Sequence, residues 1–212
     1  MLNVHSYFSF KYGLLSIDKL LDWAIENDLK TLALTDINST SGSLEFVRQA
    51  QKKGIRPILG IDFRNGAQQQ FLAIAKNNEG FQSMNTFLSE HLHADKKIPS
   101  ETDQITESYI IYPQSNIPKR PLREYEYISV KPREITRTVF LSKVPRHKLV
   151  VCPTYTLPNA EDFELHSVLR AIDLNTLVSK LTEEDTADVT DVFLSKERLI
   201  RMYSDLPEAF RN

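Results

Sequence analysis

The first ninety residues alternate between short apolar runs and amphipathic stretches. Apolar side chains recur at helical spacing over 17–29, behind a Ser16 that suits an N-cap. The run TLALTD (31–36) is apolar on both faces apart from its ends, which predicts a buried strand. A second helix over 41–54 and a third strand over 56–62 follow. The first strand is a short β-like stretch at the N-terminus, and the second is the run just described. This order, with short connections, predicts a mostly parallel sheet with crossover helices.

Each predicted helix has one apolar face, which identifies the residues expected to enter the core. A third helix over 78–92 and a later one over 160–172 show the same spacing. The residues expected to face inward are Ile17, Leu20, Leu21, Ala24, Ile25 and Leu29; then Leu44, Val47 and Ala50; then Phe81, Met84, Leu88 and Leu92; and finally Phe163, Leu165 or His166, Leu169 and Ile172. Helices of this kind cover the face of a sheet.

The second half of the chain carries weaker signals, and residues 94–107 are polar and loop-like. The remaining predicted elements are strands at 70–75, 108–113, 125–130 and 148–153, a short helix at 132–140 and one or two helices within 195–212. The chain stops just after Pro207, which looks like the start of a helix. We therefore expect a single domain over 1–212, with a helical extension over 174–212, forming an N-terminal fragment of a much longer chain.

The predicted sheet fits either a closed barrel or an open, doubly wound arrangement. Neither G-x-G-x-x-G nor G-x-x-x-x-G-K-[ST] occurs, so the usual nucleotide-binding fingerprints are absent, which favours a barrel. In such barrels the chemistry takes place at the C-terminal ends of the strands. By this interpretation His5, Asp36 and Asp62 lie at those ends.

These three side chains are the candidate chemistry of the chain. An imidazole and two carboxylates that converge on one point can hold Zn²⁺ or Mn²⁺. The alternative is that each of them caps a neighbouring helix or pairs with an arginine. The residues alone leave both interpretations open.

Composition and charge narrow the classes of function. The 212 residues carry a net charge of −2, so the chain lacks the basic excess typical of nucleic-acid-binding domains. No stretch of about 18 apolar residues occurs, which argues against a membrane span. The first residues do not resemble a signal peptide. The single Cys152 excludes an internal disulfide and indicates a reducing, cytoplasmic location.

Several motifs, in order and at matching spacing, resemble the N-terminal polymerase-and-histidinol-phosphatase (PHP) domain of bacterial DNA polymerase III alpha subunits. The segments are NVHSYFS, LALTDINSTSG, IRPILGIDF, FLAIAKNNEGFQSMN, PNAEDFELHSVLRAID and LPEAFRN. The resemblance covers nearly the whole chain and is weakest over 94–145. It implies an α/β fold, a distorted, TIM-like (β/α)₇ barrel whose strand ends hold two or three metal ions that hydrolyse phosphoesters.

The same resemblance implies that much of the metal site has been replaced. His5, Asp36 and Asp62 stand at ligand positions as a remnant. The positions at which the family has a ligand and this chain has another residue are Asn3, Ile37, Gln70, Thr154 and Thr156. Isoleucine, glutamine and threonine cannot replace the donors that closely spaced dications need. We therefore expect an inactive site that binds no cofactor, or at most one weak Mg²⁺, Mn²⁺ or Zn²⁺ ion.

The resemblance also implies a role for the chain. The parent protein would be a DNA-directed DNA polymerase, a nucleotidyltransferase whose Mg²⁺ carboxylates and DNA contacts lie beyond residue 212. This domain would act as a scaffold for the rest of the polymerase chain and as a docking site for the separate proofreading exonuclease subunit. The alternative function is that of a stand-alone metal-dependent phosphoesterase or 3′–5′ exonuclease.

Overall fold

The computed structural model describes residues 1–139 and 144–210, which form an α/β fold. The helices are α1 (Ile17–Glu26), α2 (Ser43–Lys52), α3 (Asn78–His93), α4 (Ile135–Val139), α5 (Phe163–Asp173) and α6 (Lys196–Met202). The strands are β1 (Asn3–Val4), β2 (Thr31–Leu34), β3 (Arg56–Asn65), β4 (Gln68–Ala75), β5 (Ser108–Tyr112), β6 (Glu126–Val130), β7 (Leu149–Val151) and β8 (Thr154–Tyr155). None of the described helices is long and apolar enough to cross a membrane.

Local signals set several helix ends. The Ser16 side chain accepts a hydrogen bond from the N–H of Lys19 (3.3 Å), as expected of the N-cap of α1. The Asn77 side chain does the same for Gly80 (3.0 Å) at the start of α3. Gly54, just beyond α2, has a φ of 71°, a left-handed conformation that ends a helix at the lowest cost when the residue is glycine.

The sheet is mostly parallel, as predicted. Strands β2 to β7 follow one another in chain order in one six-stranded sheet, and β1 pairs with β8. The exception is β4, which runs antiparallel to both β3 and β5. A tight hairpin with Gly66 at φ 60° joins β3 to β4, and so short a connection cannot provide the crossover that a parallel pair needs.

The strands curl into a half-barrel. The short strand β1 lies beside β2, through hydrogen bonds from Thr35 N–H to Val4 O (3.0 Å) and from Ala33 N–H to Met1 O (3.2 Å). No ladder joins β7 to β8 among the residues described. The predicted α/β class is therefore confirmed, whereas a complete (β/α)₇ barrel is not.

The two faces of the sheet bury different cores. The larger core lies between the sheet and the helices, and at its centre the ring of Phe63 lies 4.8 Å from that of Phe71 and 5.4 Å from that of Phe87. The opposite face carries a smaller cluster formed by Leu72, Ile74, Ile111, Val150 and Cys152. Asp62 is the cross-strand neighbour of Leu72, so the candidate site lies on this second face.

The last part of the chain packs on the larger core. Phe193 stacks on Tyr155 with ring centroids 5.1 Å apart, and the Tyr203 hydroxyl donates a hydrogen bond of 2.6 Å to Val130 O. Within the predicted extension over 174–212, the described helical segments are α6 and short 3₁₀ turns at Val178–Lys180 and Pro207–Phe210.

Some of the inward-facing predictions are wrong. The predicted core residues that are exposed instead are Ile25, Leu44, Leu92 and Ile172, whereas of the two alternatives Leu165 and His166 the structure buries His166. In α2 the helix turns Phe46 and Ala50 inward, because Phe46 buries the most apolar surface, and this rotation leaves Leu44 84% exposed. Phe140, the last residue of the predicted helix at 132–140, and the last two residues of the chain lie outside the described residues.

Candidate functional site

His5 follows β1 directly and is completely buried. Its Nε2 lies 3.0 Å from Asp62 Oδ2, and its Nδ1 lies 2.9 Å from Thr156 Oγ1. Burial lowers the pKa of His5 below its ordinary value, even though Asp62 opposes this shift. The neutral ring therefore donates its Nε2–H to the carboxylate and accepts the threonine hydroxyl at Nδ1.

Asp62 is held by an arginine from its own strand. Arg64 lies two residues further along β3, on the same face, and its Nη2 and Nε are 2.7 and 3.0 Å from Asp62 Oδ2. Gln69 Nε2 donates to the other oxygen at 2.9 Å. Burial by itself raises the pKa of Asp62, but the Arg64 guanidinium and the bond from His5 outweigh it and hold that pKa well below its usual range. The buried Asp62–Arg64 pair is therefore ionised.

Asp36 is held by hydroxyl groups and a backbone amide. Its Oδ1 accepts bonds from the backbone N–H of Ser6 (2.7 Å) and the hydroxyl of Ser9 (2.7 Å), while its Oδ2 accepts the Ser6 hydroxyl (2.8 Å). Ser9 Oγ also accepts the N–H of Ile37 at 3.0 Å. Burial raises the pKa of Asp36, and these donors work against that shift. The carboxylate thus pins the loop after β1 to the end of β2.

Sequence reasoning missed the residues that hold these carboxylates. The spacing of Asp62 and Arg64 was a usable signal, because residues two apart on a strand share a face. The possibility that each acidic residue pairs with an arginine proves right for Asp62 and not for Asp36. No local pattern links Ser9 to Asp36, which is 27 positions away.

A cleft of about 1060 Å³ opens beside the site. Its lining includes Tyr12, Arg64, Gln69, Lys131 and Asp191. Arg64 Nη1 donates a bond of 2.9 Å to the Tyr12 hydroxyl, and the two side chains are buried. His5, Asp36 and Asp62 are not among the described lining residues, and His5 and Asp62 have no exposed surface. The Arg64–Tyr12 pair thus separates them from the cleft.

Three of the five replaced positions lie around His5. Asn3 Nδ2 donates to Thr154 Oγ1 at 3.2 Å across the β1–β8 pair, and Thr156 contacts the ring of His5. The backbone of Ile37 pairs with that of Asp62 in an isolated parallel bridge, and Ile37 lines a neighbouring cavity together with Tyr7 and other aromatic residues of the loop after β1.

A β-bulge displaces the fourth of these positions, Gln70. The register between β3 and β4 shifts at this point, so that Phe63 pairs with Phe71 while Arg64 pairs with Gln69. Gln70 becomes the extra residue, and within the described part of the chain its side chain donates only to Gln68 O, at 3.2 Å. The side chain that touches Asp62 is therefore that of Gln69.

The residues present do not fit the metal cluster that the family resemblance implies. The Asp62 carboxylate already has a buried guanidinium against Oδ2, and a dication beside it would face that positive charge. Within residues 1–139 and 144–210, no three His, Cys, Asp or Glu side chains come together in a way that would hold a metal ion. The arrangement closes the site with an ion pair and hydrogen bonds.

His166 joins the loop after β1 to a later part of the chain. It is buried in α5, where Nδ1–H donates to Tyr12 O (2.8 Å) and Nε2 accepts the backbone N–H of Ala187 (2.8 Å). The bond from Ala187 requires a neutral ring, because a protonated Nε2 cannot accept, and burial lowers the pKa of His166 to about 4.

We expect His166 to make the stability of the protein pH-dependent. Its pKa is lower in the folded state than in the unfolded chain, so its contribution is complete above about pH 6.5 and is lost as the pH falls toward 4. As the pH falls through this window, protonation of His166 in the unfolded chain should lower the free energy of unfolding by up to about 1.4 kcal/mol per pH unit. Urea denaturation between pH 7 and 4.5 measures the slope, and His166→Gln should flatten it. Equal slopes in the two proteins would contradict this assignment.

Comparison with known proteins places the chain in a family. The model of the PHP domain matches residues 2–128. The DNA polymerase III subunit alpha of Mycoplasma genitalium is 34% identical over 113 residues, which is 52% of this chain and 13% of that protein. The corresponding subunit of Buchnera aphidicola subsp. Schizaphis graminum is 21% identical over an alignment that covers 100% of this chain and 22% of that protein. The chain therefore spans only a small part of the length of these curated relatives.

A solved structure shares a more distant likeness. It is a two-domain protein from Bacteroides vulgatus, described as containing a predicted PHP-like metal-dependent phosphoesterase. The match has 18% identity and a TM-score of 0.39, and it covers 65% of this chain and 47% of that one. The family assignment rests on the sequence match, which extends over more than half of the chain. This chain belongs to the PHP domain family.

Proposed function

We propose that this chain is the PHP domain of a polymerase III alpha-type DNA polymerase, in which the former metal site has become a structural ion-pair network. The observation that carries the proposal is the pair of hydrogen bonds that Arg64 donates from Nη2 and Nε to Asp62 Oδ2, at 2.7 and 3.0 Å. A permanent cation from the chain itself stands against the carboxylate, and this cation cannot activate water as a metal ion does.

Burial supports a structural role for this network. His5 and Asp62 are fully buried, and Arg64 and Tyr12 lie between them and the cleft. A hydrolytic site needs contact between its metal ions, water and a phosphoester. Here the same side chains tie β1, β3 and the loop after β1 into one unit, since each of them bonds to at least one of the others.

The nature of the relatives supports the wider role. The two relatives named above are polymerase alpha subunits much longer than this chain. In such a protein the domain acts as a scaffold for the polymerase region, which extends DNA with Mg²⁺-bound carboxylates located outside residues 1–212. Docking of a separate proofreading exonuclease subunit is part of the same proposal.

A hydrolysis assay tests the local part of the proposal. The purified protein is incubated with bis(p-nitrophenyl) phosphate and Mn²⁺ or Zn²⁺, beside a His5→Ala variant. We expect no turnover above the protein-free reaction and no difference between the two proteins, because no metal-activated water forms at the site.

Metal analysis of the same preparation provides a second readout. Two or more tightly bound Zn²⁺ or Mn²⁺ ions per chain, or turnover that His5→Ala abolishes, would refute the structural role. Turnover that His5→Ala abolishes would instead favour the alternative, a metal-dependent phosphoesterase or exonuclease.

A further inference from the structure

Helix α5 is oriented with its apolar side toward solvent. Leu165, Val168 and Ile172 are 54%, 44% and 59% exposed, and they follow one another at helical spacing. Together with the half-buried Leu169 they form a single stripe, which we call the α5 stripe. The residues on the opposite side of the helix, which face the protein, are His166, Ser167, Arg170 and Ala171.

Polar contacts fix this orientation. His166 bonds on both ring nitrogens, as described above, and Arg170 donates from Nε to Asp185 O (2.8 Å) and from Nη1 to Lys11 O (3.5 Å). Rotating the helix to bury the stripe would break these bonds and leave buried donors unpaired, which is costly. The α5 stripe is therefore held rigidly in an exposed position.

The charges beside the stripe argue against a second copy as its cover. Glu161 and Glu164 are exposed at the N-terminal end of α5, and neither makes a salt bridge within the described part of the chain. A parallel copy would place two Glu164 side chains together, and like charges in contact oppose that arrangement. An antiparallel copy would place Glu164 near Asp173 of the other molecule, whose charge Lys11 and Arg170 already pair, so it would supply no counter-charge to Glu161 and Glu164. The acidic flank instead suits a partner with basic residues.

We infer that the α5 stripe is the surface on which the domain docks against the rest of its own polypeptide. Its cover is a helix of the polymerase region, apolar on one side and carrying Lys or Arg where it passes Glu161 and Glu164. This inference rests on the proposed function. It is supported by the alignment with the Buchnera relative, which covers all of this chain but only 22% of that protein. A protein of that length contains many further residues that could pack against the stripe.

Cysteine labelling tests the inference on the natural gene product that carries these residues. Val168→Cys places a thiol in the stripe with little change of volume, and Gln51→Cys places a matched thiol on an exposed position of α2. The native Cys152 is buried, and burial raises its pKa to about 12, so it reacts slowly. Maleimide labelling is followed peptide by peptide by mass spectrometry. We expect Val168→Cys to react at least about tenfold more slowly than Gln51→Cys.

A second variant separates docking from misfolding. Leu165→Glu puts a charge into the proposed interface. In the domain by itself, Leu165 is exposed to water. In the Val168→Cys background Leu165→Glu should raise labelling to the rate of Gln51→Cys. Equal labelling of the two single variants would overturn the inference, and so would protection that disappears on dilution, because the cover would then be a second copy. Hydrolysis of a phosphodiester would refute the proposed function without changing the labelling ratio, so the two failures are distinguishable.

Discussion

Replacing Arg64 with methionine is expected to lower the free energy of unfolding by about 3–5 kcal/mol. The substitution keeps an unbranched chain of similar length but leaves the Asp62 charge buried without its cation. Asp62→Asn in the same protein should recover much of the loss, because the charge is then removed while the amide oxygen still accepts the His5 Nε2–H and the new NH₂ group faces Gln69, whose own amide can turn its oxygen to accept. Urea denaturation at pH 7 measures each free energy.

The matched control is an ion pair on the surface. Lys30 and Asp28 are 2.6 Å apart, but their side chains are 81% and 87% exposed. Lys30→Met should leave the urea midpoint almost unchanged, because solvent screens exposed pairs. A loss below about 1 kcal/mol in Arg64→Met would show that the buried pair does not stabilise the fold, contrary to the range expected for breaking such a pair.

Gly13→Ala should destabilise the protein by about 1–3 kcal/mol, the range for overpacking, and we expect the upper end. An added Cβ would lie 1.9 Å from Ser6 O and 2.6 Å from Ser6 C, and these backbone atoms cannot turn away as a flexible side chain would. Relief requires the loop after β1 to move, and that loop carries the Ser6 and Ser9 groups that bind Asp36. Thermal and urea unfolding measure the loss.

Gly54 provides the comparison for this second prediction. An added Cβ there meets nothing within 4 Å, but φ is 71°. Gly54→Ala should therefore cost about 1 kcal/mol through backbone strain alone, and Gly54→Asn less, since asparagine tolerates this conformation. If Gly13→Ala lowered the free energy of unfolding no more than Gly54→Asn does, the close packing of Gly13 against Ser6 would not contribute to stability.

Patterns within single elements were predicted well from the sequence. The alternation of strands and helices, the N-cap at Ser16 and the stop at Gly54 are all found in the structure. Each depends on residues within a few positions of one another, so local physical chemistry is sufficient. The family resemblance was also available at this level, because it consists of motifs in order, and the comparison with the family confirms it.

The candidate site was predicted only in part. The sequence selected His5, Asp36 and Asp62 as strand-end residues, and the structure brings His5 and Asp62 into contact while Asp36 bonds to serines nearby. The sequence did not reveal that Arg64 is the counter-charge of Asp62, nor that a bulge brings Gln69 to Asp62.

By itself, then, the amino-acid sequence determined the elements, the α/β class and the family of this protein. Only the tertiary structure decided which side of α5 faces inward, which way β4 runs and which cation binds Asp62. An amphipathic pattern shows that a helix has two unlike faces, but contacts with distant residues decide which face is buried. His166 bonds to Tyr12, 154 positions away, and His5 bonds to Thr156, 151 positions away, so neither contact leaves a signal in the local sequence.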